Sequence, residues 1–111
     1  MRIVQLDAIL HQPVRTQLVA YLAARGEATF SELKRVLGLT DGNLDAHVRK
    51  LIDAEYLIVR KETGSGRPQT VYALTKVGNK ALATYISHLS KLLELGAAAS
   101  NLPARSKPST T

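Results

Sequence analysis

The sequence predicts a single α+β domain, mainly helical, in which a two- to three-stranded antiparallel sheet is combined with three shorter helices and one long C-terminal helix. Three observations carry this. Leu44, Val48 and Leu51 fall at i, i+4 and i+7, the spacing of a helix with one buried face. The runs "YLIVRKE" and "QTVYALT" are β-prone and flank a loop holding Gly64, Gly66 and Pro68, the pattern of a hairpin with a long turn. From Val77 to Leu93 apolar residues recur at helical spacing over roughly five turns. A chain of 111 residues, 45% of them apolar, suffices for one core and is too short for two.

Leu6, Ile9 and Leu10 stand at helical spacing. After Pro13, a favoured first-turn residue, Val14, Leu18, Val19 and Leu22 continue the stripe to Gly26. We expect a first helix interrupted or kinked near His11 to Pro13. Ala28 to Phe30 suit a short extended segment. Ser31 is then a good N-cap for a helix of about two turns, with Leu33, Val36 and Leu37 facing inward until Gly38 ends it. Thr40 or Asp41 caps a third helix over residues 41 to about 54. The hairpin follows, and Thr75 caps the long helix. The domain is expected to span residues 1 to 95; residues 96 to 111, "GAAASNLPARSKPSTT", have no apolar period and read as a disordered basic tail carrying Arg105 and Lys107.

Fifteen Lys and Arg against nine Asp and Glu leave a net charge of +6, which favours a polyanionic partner. Cysteine is absent, so disulfides, thiolate metal sites and cysteine redox sensing are excluded. Asp7, His11 and Pro13 interrupt the N-terminus where a signal peptide would need an apolar run, and no stretch approaches a membrane span. A cytoplasmic protein with no membrane partner is expected.

Two short helices joined across "GLTDG" match a helix-turn-helix, and a hairpin directly after the second is a wing. On "HQPVRTQLVAYL", "ATFSELKRVLGLTDGNLDAHVRKLIDAEYL" and "GRPQTVYALTKVGNKAL", the chain resembles the small single-domain winged-helix transcriptional regulators of the MarR and ArsR type, over residues 11 to about 83. The resemblance implies a winged helix-turn-helix with a two- to three-stranded antiparallel wing and a long C-terminal dimerisation helix. It also implies a homodimer that binds double-stranded DNA in a sequence-specific way. The chain has Asp45 where such proteins often carry Ser or Thr, and Glu55 where they usually have Gly.

With Leu44, Val48 and Leu51 buried, steps of about 100° per residue put Gly42, Ala46, Arg49 and Asp53 opposite, with Asn43, His47 and Lys50 on one flank. Asn43 suits an adenine edge, His47 can donate to or accept from a base, and Gly42 and Ala46 permit close approach in a major groove. Arg49 and Lys50 suit phosphates. Thr40 and Asp41 at the start of this helix, and Ser31, Lys34 and Arg35 on the preceding one, complete the helical candidates for DNA contact. On the wing the candidates are Arg60, Lys61, Arg67 and Thr70. The loop "GSGRP" lacks the GxxxxGK[ST] pattern of a phosphate-binding loop and lies between two strands, so it reads as a wing tip with Arg67 directed at a minor groove or phosphate.

The stripe of Leu82, Tyr85, Ile86, Leu89, Leu92 and Leu93 is wider than one small core needs and reads as a dimerisation surface; the alternative is that it folds back on the first helix of a monomer. A pocket between this helix and the core leaves room for a small-molecule effector of unknown identity. His11, His47 and His88 lie far apart with no paired spacing, and no nucleophile has recognisable partners, so neither a metal, a cofactor nor an enzyme is expected. Pairing of His11 with Asp7, or of His88 with Glu94, is the expectation for two of the histidines. The competing functions are a winged-helix protein-interaction module and an architectural DNA-binding protein without sequence specificity.

Overall fold

The first helix begins where its capping groups demand. Gln12 is extended and its side-chain oxygen accepts from the Arg15 N–H at 2.8 Å, while Pro13 occupies the first turn, where no N–H donor is needed. The computed structural model describes residues 5–64 and 66–100, the last without its side chain. The elements are α1 (Pro13–Arg25), β1 (Ala28–Thr29), α2 (Phe30–Leu37), α3 (Asp41–Asp53), β2 (Leu57–Glu62), β3 (Gln69–Leu74) and α4 (Lys76–Ser100). The fold is a winged helix, mostly helical.

Ahead of Pro13 no helix forms among the described residues, so the helix expected to be interrupted or kinked near His11 to Pro13 instead begins there. Asp7 is the reason: its Oδ1 accepts from the N–H groups of Ile9 and Leu10 at 2.8 and 3.2 Å and so offers the backbone a turn instead. The turn drops Leu10 into the core, fully buried.

The start of α2 is two residues earlier than the cap on Ser31 implied. Thr29 is the N-cap, with its Oγ1 accepting from the Glu32 N–H at 3.0 Å, and Phe30 belongs to the helix rather than to the strand. Ser31 is thereby an exposed first-turn residue, and Val36, expected inside, is 47% exposed. Gly38 ends α2 in the left-handed region with φ 66°, and the Leu39 N–H reaches the Lys34 carbonyl at 3.1 Å.

Thr40 caps α3, accepting from the Asn43 N–H at 3.2 Å. At the other end Glu55 adopts φ 66°, the backbone a glycine would supply at less cost, and the Tyr56 N–H closes onto the Leu51 carbonyl at 2.9 Å. The three strands order as β1-β3-β2, all antiparallel, with Ala28 opposite Tyr72 and Arg60 opposite Val71. Central β3 buries both Val71 and Tyr72, whereas edge strand β2 buries Leu57 alone.

Thr75 caps α4 as its position implied, accepting from the Gly78 N–H at 2.9 Å and donating to the Glu55 carbonyl at 2.6 Å. Gly78 lies so close to α3's exit that an added Cβ would stand 2.3 Å from the Tyr56 carbonyl oxygen. Beyond the core α4 runs to Ser100, so the tail boundary at residue 96 is corrected: Ala97, Ala98 and Ala99 have no apolar period, yet alanine is the strongest helix former. Residues 101 to 111 lie outside the described residues. The core unites Leu18, Val19 and Leu22 of α1 with Leu33, Leu44, Val48, Leu51, Leu57, Tyr72 and Tyr85.

Candidate nucleic-acid interface

The buried face of α3 is Leu44, Val48 and Leu51, as the spacing implied, which leaves Gly42, Asn43, Ala46, Arg49 and Lys50 exposed. Charge on this helix is partly spent internally. Arg49 donates to Asp45 at 2.7 Å, one turn away, so the carboxylate that departs from the family pattern faces its partner rather than open solvent alone. Lys34 of α2 pairs with Asp41 at 2.9 Å, pinning the helix-turn-helix across its turn.

His47 is half-buried on the flank toward α1, where its Nδ1 meets the Arg15 guanidinium at 3.2 Å. Burial first, and then the positive charges of Arg15 and Lys50, hold its pKa below the ordinary histidine value. Arg15 is 9% exposed and also donates through Nε to the Ile9 carbonyl at 2.7 Å. Sequence reasoning passed over Arg15, although a signal was present: at about 100° per residue it falls between Leu22 and Val19 on the buried arc of α1.

On the wing, Arg60 is held by three carboxylate oxygens. It makes two contacts of 3.0 Å to Glu27, just beyond α1, and two of 3.2 and 2.5 Å to one oxygen of Glu62. These bonds raise the guanidinium's pKa and lower that of Glu27. Arg67 has no such partner among the described residues. It lines a hollow with Thr29, Phe30, Ser31 and Thr70, where the wing tip meets the N-terminal turn of α2. Among the described residues Arg35, Lys50, Lys61 and Arg67 form no ion pair, unlike Arg25, Lys34, Arg49 and Arg60.

The residues expected to form the dimer surface divide. Tyr85 is 4% exposed and packs in the chain's own core with its hydroxyl 2.9 Å from His11 Nδ1, so it is removed from the surface set. Leu82 and Leu89 pack partly against the same core. Ile86, Leu92 and Leu93 remain outward, at 53%, 37% and 66% exposure. The wide apolar stripe merges two faces because α4 turns one toward the core and leaves the other bare.

The histidine pairings also differ. His11 takes Tyr85 rather than Asp7, and Asp7 accepts from the Tyr56 hydroxyl at 2.5 Å. Burial and that bond push the Tyr56 hydroxyl up to about 12. His88 donates to the Gln5 carbonyl at 3.2 Å rather than to Glu94. No group of three potential metal-binding His, Asp or Glu side chains converges among the described residues, and no described helix is long and apolar enough to cross a membrane.

This architecture, a helix-turn-helix followed by a wing, defines a winged-helix DNA-binding protein. The sequence profile of the winged helix DNA-binding domain family matches residues 14–93, and the chain belongs to that family. An uncharacterised protein of Methanocaldococcus jannaschii is 33% identical over 84 residues, 76% of this chain and 91% of the relative. A transcriptional regulator homologue from Pyrococcus horikoshii OT3 superposes with a TM-score of 0.75 at 34% identity, covering 79% of this chain and 87% of that one. A MarR family transcriptional regulator from Silicibacter pomeroyi shares the fold, with a TM-score of 0.60 at 22% identity over 83% of this chain and 60% of that one. The chain is thus a DNA-binding regulator of a family that is not enzymatic.

Proposed function

We propose that this chain acts as a homodimeric transcriptional regulator that reads an inverted repeat in duplex DNA. In this reading α3 enters the major groove and the wing lies along the backbone or minor groove. The observation that carries it is the set of cations left open on the helix-turn-helix and wing. Among the described residues, Arg35 of α2, Lys50 on the open face of α3, and Lys61 and Arg67 on the wing form no ion pair, as is also true of the α4 lysines, so these cations need give up no carboxylate to meet phosphates. Arg67 and Thr70 also share their hollow with Ser31, at the positive end of α2, which favours a phosphate.

Asn43, Ala46 and His47 then face base edges, and Arg35, Lys50 and Lys61 face phosphates. Lys34, Asp41, Arg49 and Arg60 reach the DNA only by exchanging or sharing their present partners. Ile86, Leu92 and Leu93 form the dimer seam, which spaces two α3 helices for successive major-groove half-sites. A gel shift on duplex DNA from upstream of the protein's own gene, at several salt concentrations, tests the reading. Asn43→Ala is expected to relax specificity at one base pair by about 1–3 kcal/mol. Arg67→Ala is expected to weaken all sequences and reduce the slope of log K against log salt by about one. Affinity indifferent to salt would contradict phosphate contact altogether.

An effector site fits the hollow beneath residues 5–7, lined by Leu6, Asp7, Tyr56, Val77, Tyr85 and His88. A panel of aromatic acids that neither raises the melting temperature nor releases bound DNA would remove this assignment.

A further inference from the structure

Arg15 is a buried cation with no carboxylate partner among the described residues. Its two hydrogen bonds run to neutral acceptors, the Ile9 carbonyl at 2.7 Å and His47 Nδ1 at 3.2 Å. A desolvated guanidinium needs those bonds, because leaving a buried charge unsatisfied is costly. The contact with His47 admits one chemical sense. A guanidinium offers only donors and stays protonated, so Nδ1 must present its lone pair. A neutral imidazole that accepts at Nδ1 carries its proton on Nε2, on the other side of the ring. Protonating both nitrogens would set an N–H against the guanidinium, and the charged groups facing His47, Arg15 from α1 and Lys50 from α3, are both positive.

We infer that Arg15 is a positioning residue that fixes His47 on the recognition helix as a hydrogen-bond donor through Nε2, so that His47 selects guanine over cytosine at one base pair of each half-site. The inference rests on the reading that α3 enters the major groove. There guanine presents two acceptors, O6 and N7, whereas cytosine presents an amino donor that an Nε2–H cannot satisfy. Without Arg15 the ring is free to take either tautomer and to serve either edge.

The test joins two measurements on the full chain. Nitrogen-15 NMR of the imidazole nitrogens in the free protein at neutral pH reads the tautomer. Selection from a randomised duplex pool reads base preference for wild type, His47→Ala, Arg15→Met and Arg15→Lys. We expect the Nε2–H form of His47, and one position per half-site where guanine exceeds cytosine by roughly tenfold. His47→Ala should flatten that position alone. Arg15→Met should admit cytosine there, and Arg15→Lys, which keeps a donor, should retain guanine. An Nδ1–H or doubly protonated ring overturns the inference, as does an unchanged guanine preference in His47→Ala. Those two arms decide the matter even if Arg15→Met does not fold. A wild-type pool with no enriched sequence overturns the major-groove reading itself, and with it the base assignment, even where the tautomer is as inferred.

Discussion

Glu55 holds φ 66° at the exit of α3, and a left-handed backbone costs a residue with a Cβ about 1–2 kcal/mol. Glu55→Gly is therefore expected to raise stability by roughly 0.5–1 kcal/mol in urea unfolding, the relief being partly offset by glycine's freedom in the unfolded chain. Gly78 is the opposite case. A methyl group there would meet the Tyr56 carbonyl, which is backbone and fixed by its bond from the Thr75 N–H at 3.0 Å. Gly78→Ala should cost at least about 2 kcal/mol by the same measurement, and an unchanged midpoint would refute the close approach. For His47 the sign follows from a depressed folded-state pKa: as pH falls through about 6.5 the unfolded chain binds a proton that the folded chain resists, so stability falls. His47→Gln should flatten that acid limb of the stability curve. Glu55 was visible in the sequence as a missing glycine. The close approach at Gly78 and the contact between Arg15 and His47 are not legible in the sequence, because each depends on a neighbour far along the chain.

At the scale of elements, local pattern and tertiary partner decide different things. Leu44, Val48 and Leu51 placed α3 within a residue or so, and the two β-prone runs placed the hairpin, because each has a single period that only one structure satisfies. The start of α2 was less legible: Thr29 and Ser31 are both cap residues with aromatic Phe30 between them, and the bond to the Glu32 N–H selects Thr29. The N-terminal segment has helical spacing but also Asp7, whose side chain wins the local N–H groups. The clamp on Arg60 joins the wing to the end of α1 and was also beyond local reading. Because Arg60 is half-exposed, its loss is expected to leave thermal stability nearly unchanged. Arg60→Ala should instead loosen the wing, read as faster amide exchange across Lys61 to Gln69; exchange identical to wild type would show that the clamp does not order it.

At the scale of the whole molecule, α4 sets the shape. The chain measures 63 × 31 × 22 Å, and the distal part of α4, from Ser90 to Ala99, is exposed throughout. A bare stripe of Ile86, Leu92 and Leu93 on such a helix is the apolar surface a second copy would cover. Leu93→Glu is expected to convert a dimer to monomers in sedimentation equilibrium while leaving helix content intact, and an unchanged mass would move the seam elsewhere. Breadth of the stripe is legible in the sequence; its division between core and surface is not, since Tyr85 joins a core built by residues far along the chain and meets His11 there.

The central claim, paired recognition helices reading paired half-sites, is tested most directly by hydroxyl-radical footprinting of the full chain on a duplex it has selected. Two protected patches related by inverted symmetry and centred about one helical turn, roughly 10 base pairs, apart are expected. A single patch without symmetry, or protection that is the same on unrelated duplexes, would contradict it.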